Sequence, residues 1–273
     1  MIEWKNIYRG FMMGTSDLIP GVSGGTIAMV LGIYQRLIAA INGLFSKEWK
    51  KHVTFLIPLG FGVALALVSI SNVMDWLLSY YPQPTYFFFL GLIIGIIPFL
   101  LKTIDYRRTF SSRHYLLLII AATLISLTMF IDDNQMARST DSLVTADYIR
   151  LFFSGWVASS AMILPGVSGS FVFLLFGTYE LIIASLSSFQ LEVLVIVAAG
   201  IGIGVLVTSK IIHFLLARFT TATYATMTGF IIGSIFVIFP GISDDFGLLI
   251  VSIVTFFVGA YCALLLGRLE HDQ

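Results

Sequence analysis

The pentapeptide Pro20-Gly21-Val22-Ser23-Gly24 occurs a second time, letter for letter, as Pro165-Gly166-Val167-Ser168-Gly169. Both copies lie inside apolar sequence, where a proline and two glycines interrupt any helix. In a bilayer, backbone that leaves the helix is tolerated only where protein or a water-filled cavity surrounds it. Paired interruptions in two halves of a chain are typical of a transporter's substrate site.

The composition indicates an integral membrane protein. Of the 273 residues, 58% are hydrophobic and only 11% are charged, whereas soluble domains carry roughly 25% charged residues. The formal net charge is zero, so the chain lacks the basic face that a nucleic-acid partner requires. The single cysteine, Cys262, excludes an internal disulfide.

Six segments are long and apolar enough to cross a bilayer core of about 30 Å. They are approximately residues 53–79, 85–101, 114–131, 190–217, 223–239 and 247–267. Two further apolar regions, about 7–45 and 149–188, contain the two pentapeptides. Each of these regions is expected to form a helix, a break and a second helix.

Loop charges predict how the segments are oriented. Basic residues cluster at 47–51, 102–113 and 210–218, while the loops at 132–147 and 244–245 are mostly acidic. Since basic loops stay in the cytoplasm, region 7–45 must enter and leave from the cytoplasm and region 149–188 from outside. Both regions are therefore expected to be re-entrant hairpins, and both termini to be cytoplasmic.

These elements predict an all-α membrane protein built as an inverted-topology repeat. Residues 1–135 form the first repeat and residues 146–273 the second, each with one re-entrant helical hairpin and three transmembrane helices. Because each repeat crosses the membrane an odd number of times, the second repeat is expected to lie upside down in the bilayer relative to the first. Matching residues support the internal similarity: Tyr34 with Tyr179, Gly60 and Gly62 with Gly200 and Gly202, and Gly91 and Gly95 with Gly229 and Gly233.

The residues after each break suit an oxyanion. A helix start offers unpaired N–H groups and about half a positive charge, and glycine lets a ligand approach the backbone. The candidate substrate-binding residues are Ser23, Gly24, Gly25, Thr26, Ser168, Gly169 and Ser170. The alternative is that the glycines only permit close helix packing and the serines only cap helices.

Three charged residues near the breaks are candidates for coupling or gating. Asp17 precedes Pro20 by three positions, and a carboxylate at this depth is costly enough to indicate function, as a proton carrier or a sodium ligand. The alternative for Asp17 is a cap that holds the turn, and Met162 occupies its place in the second half. Arg36 lies nearer the interface, where it meets an anionic head group or snorkels, and Glu180 aligns with Gln35.

The stretch from Gly14 to Thr26, with Gly32 and Tyr34 after it, resembles the signature of the bacterial polyprenyl-phosphate transporters, once a family of unknown function. The stretch 164–170 with Gly177 and Tyr179 is similar to the second motif of that family. The resemblance implies a flippase in the bacterial cytoplasmic membrane that returns undecaprenyl phosphate from the outer to the inner leaflet, recycling the lipid carrier of peptidoglycan synthesis. It also implies that the phosphate group binds where the two helix breaks meet and that the isoprenoid tail stays in lipid. It leaves the oligomeric state open.

Two other functions use the same features. A small-anion carrier or channel would need the same pocket. An intramembrane lipid-phosphate enzyme would need a histidine nucleophile, an acid or a metal cluster, but the four histidines, His52, His114, His213 and His271, lie away from both motifs. Neither an enzyme nor a cofactor nor a metal site is therefore expected, and coupling to a proton or sodium gradient is left open.

Overall fold

The computed structural model describes residues 3–18, 23–44, 46–130, 143–187 and 190–271, and within these ranges the regular structure is entirely helical. There are thirteen α-helices in this part of the chain and one short 3-10 helix at Thr128–Phe130. In chain order the α-helices are α1 (Lys5–Asp17), α2 (Gly24–Val30), α3 (Tyr34–Gly43), α4 (Trp49–Tyr80), α5 (Pro82–Thr103), α6 (Tyr106–Thr109), α7 (Ser112–Leu127), α8 (Thr145–Ile163), α9 (Gly169–Leu175), α10 (Tyr179–Ser187), α11 (Leu191–Arg218), α12 (Thr220–Ile238) and α13 (Phe246–His271).

The six predicted spans are confirmed. Six segments in the described ranges are long and apolar enough to cross a membrane: Trp49–Ile70, Pro82–Thr103, Ser112–Phe130, Leu191–Arg218, Thr220–Ile238 and Phe246–Leu265. The helix α12 ends before Pro240, as expected because the residue that precedes a proline is disfavoured in the helical conformation. The chain is therefore a multi-pass membrane protein.

The two broken regions contain three helices each, not the two that the sequence predicted. A second turn separates α2 from α3 at Gly32, where φ is 64°, and α9 from α10 at Gly177, where φ is 62°. Only glycine adopts this left-handed conformation without cost. The turn bends α2 and α3 by 119° relative to each other, so the second half of the hairpin folds back sharply.

The first long helix–helix contact of each half is built in the same way. Helix α1 packs along α4, and α8 packs along α11. A methyl group on Gly62 would lie 2.0 Å from the carbonyl oxygen of Ile7, and one on Gly200 would lie 2.1 Å from that of Phe152. These backbones touch because glycine occupies the contact, as is common between helices in membranes.

The glycine register in the structure corrects the sequence alignment by two positions. The sequence paired Gly62 with Gly202, whereas the contacts pair Gly62 with Gly200. A methyl group on Gly60 or on Gly202 would meet nothing within 4 Å. The helices α4 and α11 are therefore offset by 138 positions, unlike the 145 that separate the two pentapeptides.

The remaining long helices are exchanged between the halves. Helix α5 packs against α13, the last helix of the chain, and α12 packs against α7. A methyl group on Gly91 would lie 2.0 Å from the carbonyl oxygen of Phe256, and one on Gly229 would lie 2.4 Å from that of Leu118. Gly229 lies 138 positions after Gly91, and Phe256 lies 138 positions after Leu118. Each half therefore contributes one helix to a contact with the other half in the same way. The reversal of the second half relative to the bilayer stays a prediction.

Helix α2 lies at the centre of the molecule. All seven of its residues are buried, and it contacts α1, α3, α5, α8 and α13. The first broken region thus places the start of α2, immediately after the first pentapeptide's serine, in the protein interior.

Candidate functional site

The first tip joins the end of α1 to the start of α2. Ser23 has an extended backbone and caps α2, since its Oγ accepts a hydrogen bond of 3.1 Å from the amide of Gly25. The amide of Thr26 donates to the carbonyl oxygen of Ser23 at 2.9 Å. The predicted break residues Pro20 and Gly21 lie outside the described residues.

Asp17 is the hydrogen-bond acceptor for the first backbone amide of helix α2. The amide of Gly24 donates to Asp17 Oδ1 at 2.7 Å. A carboxylate at a helix N-terminus is stabilised by the helix dipole and by a charge-assisted hydrogen bond. The first tip therefore already carries an anion from its own chain. This geometry is that of a cap, and it leaves the coupling role of Asp17 a prediction.

The second tip has the same outline but a different chemistry. Pro165 and Gly166 form the turn, with Gly166 at a φ of 83°, and α9 starts at Gly169. In place of the aspartate stands Met162: a methyl group on Gly169 would lie 2.4 Å from Met162 Cγ, just as one on Gly24 would lie 2.8 Å from Asp17 Oδ2. A thioether accepts hydrogen bonds only weakly.

The second tip consequently has amide donors without acceptors. In the part of the chain that the structure describes, the amides of Gly169 and Ser170 donate no hydrogen bond. The hydroxyls of Ser168 and Ser170 lie 2.8 Å apart and bond to each other. Ser168 also lines a cavity of about 150 Å³, together with Thr128 and Ser234.

The two tips contact each other directly. Thr26 Oγ1 accepts a hydrogen bond of 2.8 Å from the amide of Gly166, and Ser23 Oγ donates to the carbonyl oxygen of Met162 at 3.1 Å. A methyl group on Gly25 would lie 3.0 Å from the carbonyl oxygen of Ile163. The breaks of the two halves therefore meet inside the protein, and Ser23 and Thr26 use their hydroxyls in this contact.

Replacing Thr26 with valine tests the strength of the tip contact. Valine retains the shape but removes the acceptor of the buried Gly166 amide, which we expect to lower the free energy of unfolding by about 1–3 kcal/mol. The measurement is thermal unfolding of the detergent-purified protein. Thr26→Ser, which retains the hydroxyl, is the matched control, and equal unfolding temperatures for the two variants would show that the contact does not stabilise the fold.

The other two predicted coupling residues are not brought to the tips by any described contact. Arg36 is half exposed, forms an ion pair with Glu3 and lies over the ring of Phe55 at 4.7 Å. This places it with the start of α1. The side chain of Glu180 lies outside the described residues, so its predicted role stays untested.

Sequence reasoning missed three residues beside the tips. The hydroxyl of Tyr34 donates to the carbonyl oxygen of Ile163 at 3.0 Å, and Gln35 Nε2 donates to the hydroxyl of Tyr224 at 2.9 Å. All three line a cavity of about 160 Å³. The repetition of Tyr34 as Tyr179 was the available signal, but it was used only as a sign of duplication and as part of the family motifs, not as a contact of the site.

Comparison with known proteins identifies relatives along nearly the whole chain. A polyprenyl-phosphate transporter of Staphylococcus aureus (strain NCTC 8325 / PS 47) is 44% identical over 99% of this chain and 98% of its own length. A polyprenyl-phosphate transporter of Vibrio cholerae serotype O1 is 35% identical over 85% of this chain and 76% of its own length. No solved structure matches the chain.

The sequence profile of one protein family matches residues 13–247, a range that contains both pentapeptides and most of the six spans. That family is described as VCA0040-like, undecaprenyl phosphate translocase-like. With both tips and five complete spans inside the match, the chain belongs to the undecaprenyl phosphate translocase-like family.

Proposed function

We propose that this protein is a flippase for polyprenyl phosphate, with undecaprenyl phosphate as its substrate in the bacterial cytoplasmic membrane. The observation that carries the proposal is the meeting of two helix breaks, one from each half, in the interior of a membrane protein. Family membership and the names of the relatives support the substrate class. Transport runs from the outer to the inner leaflet and returns the carrier lipid to cell-wall synthesis.

The phosphate group binds at the second tip. The unpaired amides of Gly169 and Ser170 are donors beside the cavity that Ser168 lines, and so is the one hydroxyl of the Ser168–Ser170 pair that does not donate to the other. Backbone amides at a helix start are suited to phosphate oxygens. Gly24, Gly25 and Thr26 complete the site from the first tip once the tip contact opens.

Asp17 couples this binding to an ion gradient. Once the tip contact opens, a phosphate that also reaches Gly24 of the first tip would approach the Asp17 carboxylate that caps this residue. Two like charges in an environment of low dielectric repel each other strongly. A proton or a sodium ion on Asp17 relieves this repulsion, so the ion and the lipid bind together. Release of the ion on the cytoplasmic side then favours release of the phosphate.

Alternating access follows from the duplicated architecture. The hydrogen bond between Gln35 on α3 and Tyr224 on α12 joins the two halves on one side of the tips. Opening this side while the other closes would expose the phosphate to each leaflet in turn, with both re-entrant hairpins inverted relative to each other and both termini in the cytoplasm. Arg36 and Glu180 gate the two entrances.

The test is leaflet exchange of undecaprenyl phosphate in proteoliposomes containing the purified protein. Ser168→Leu fills the cavity at the second tip and is expected to lower the exchange rate at least tenfold. Val157→Leu on α8, a side chain that is 41% exposed, is the matched control and is expected to exchange lipid like the wild type. Release of inorganic phosphate from the lipid would indicate an enzyme, and passage of free phosphate without lipid exchange would indicate a small-anion carrier. Either result contradicts the proposal.

A further inference from the structure

An apolar groove runs beside the first tip between helices of both halves. Two neighbouring cavities of about 390 and 420 Å³ share three wall residues, and we treat them together as one groove. The shared residues are Thr15, Phe88 and Phe89. We call this space the α5–α13 groove, after the two helices that form most of its wall.

The wall of the groove is almost entirely apolar. No charged side chain lines it among the described residues. Its threonine and serine hydroxyls donate to backbone carbonyl oxygens at 2.6 to 2.8 Å, and these residues are Thr15, Ser16, Thr85 and Thr255. Because the hydroxyl hydrogens are used within the protein, the groove suits a hydrocarbon rather than water or an anion.

One end of the groove lies beside the first tip, which contributes Gly24, Gly25 and Thr26 to the proposed phosphate site. Its wall includes Ser16, which directly precedes Asp17, and Ile27, which directly follows Thr26. The other end reaches Tyr81 and Pro84, at the junction of α4 and α5. Along α5, from Pro84 to Leu92, the groove extends about 12 Å at 1.5 Å per residue, comparable to half of a bilayer core of about 30 Å.

The groove is open towards lipid on one side. Three of its wall residues are 44–49% exposed, and they are Tyr81, Val251 and Leu265. A chain in the groove could therefore enter sideways from the membrane and keep its far end among the lipids. This is the geometry that a long lipid tail needs when its head group is held inside the protein.

We infer that the α5–α13 groove binds the first isoprene units of the polyprenyl tail while the phosphate occupies the tips. The inference rests on the proposed function, which supplies the phosphate end. Beyond its phosphate an isoprenoid chain carries no polar atom, so it suits a groove that phenylalanine rings line, namely Phe11, Phe88 and Phe89.

The only cysteine of the chain, Cys262, lies in the wall of the groove and reports its occupancy without any mutation. The protein in phosphatidylcholine nanodiscs is alkylated with N-ethylmaleimide, with and without undecaprenyl phosphate. We expect saturating undecaprenyl phosphate to slow alkylation of Cys262 at least fivefold. Phosphatidylglycerol and inorganic phosphate, at the same concentration, are expected to leave the rate unchanged.

A matched control places the thiol outside the groove on the same helix. Leu264→Cys in a Cys262→Ala background replaces a side chain that is 46% exposed, absent from the groove wall and on another face of α13. Its alkylation is expected to be insensitive to undecaprenyl phosphate. Equal protection of both thiols, equal protection of Cys262 by phosphatidylglycerol, or no protection at all would overturn the inference.

Leaflet exchange measured on the same preparation separates this inference from the proposed function. If the protein exchanges the lipid between leaflets but undecaprenyl phosphate does not slow alkylation of Cys262, the tail binds elsewhere and the flippase proposal stands. Absence of exchange would instead contradict the proposed function, whatever the alkylation result.

Discussion

Gly166→Ala is expected to destabilise the protein far more than Gly241→Ala, although the two glycines have nearly the same φ angle. Their φ values are 83° and 82°, so both substitutions incur the cost of a left-handed alanine, about 1–2 kcal/mol. At Gly241 the added methyl group meets nothing within 4 Å, but at Gly166 it would lie 2.7 Å from the backbone of Phe230. Since backbone cannot move aside as a side chain can, the second tip must shift.

The measurement is the thermal unfolding temperature and the yield of folded protein from membranes, with leaflet exchange as a functional readout. We expect Gly166→Ala to abolish exchange and lower the unfolding temperature strongly. Gly241→Ala should retain exchange with a modest loss of stability. Similar behaviour of the two variants would show that the close approach of the second tip to α12 is not needed.

Asp17→Asn is expected to bind undecaprenyl phosphate more tightly and exchange it more slowly. Asparagine keeps an oxygen acceptor for the Gly24 amide but removes the negative charge. Two unit charges about 4 Å apart at an effective dielectric constant of about 20 repel by about 4 kcal/mol, so removing one should tighten binding at least tenfold. Exchange slows because the repulsion that favours release is lost.

Equilibrium binding and leaflet exchange are measured on the same preparation. Asp17→Ala is the companion variant, since it also removes the acceptor of the Gly24 amide and is expected to lower the unfolding temperature as well. If Asp17→Asn binds and exchanges lipid like the wild type, the carboxylate serves only as a cap and coupling must be sought elsewhere.

The sequence predicted the membrane-spanning helices well because their signal is local. A run of about 20 apolar residues is long enough to cross a bilayer core, and each of the six spans contains such a run. The turns at Gly32 and Gly177 were missed, although each glycine was named with the motif that precedes it. Each turn depends on a positive φ at its glycine. A glycine in the sequence permits this conformation but does not show that the residue adopts it.

The sequence indicated where the two helix breaks lie but not which hydrogen bonds their residues make. The doubled pentapeptide indicated where the helices break, yet it could not reveal that Thr26 accepts from Gly166 or that Ser23 donates to Met162. Both bonds join residues more than 130 positions apart. The sequence showed that Met162 stands where the first half has Asp17. Only the distances show the consequence: the first tip has an acceptor for its amide, whereas the amides of the second tip have none.

The amino-acid sequence alone determined the class of protein, the six spans, the two breaks and the duplication, because apolar length and the chemistry of proline and glycine act within a few residues of one another. Only the tertiary structure decided that the last helix of each half packs on the other half, that the two tips touch, and that an apolar groove leads away from them. These features arise from contacts between distant segments, whose register is set by glycine positions and side-chain shapes that match across the fold rather than along the chain.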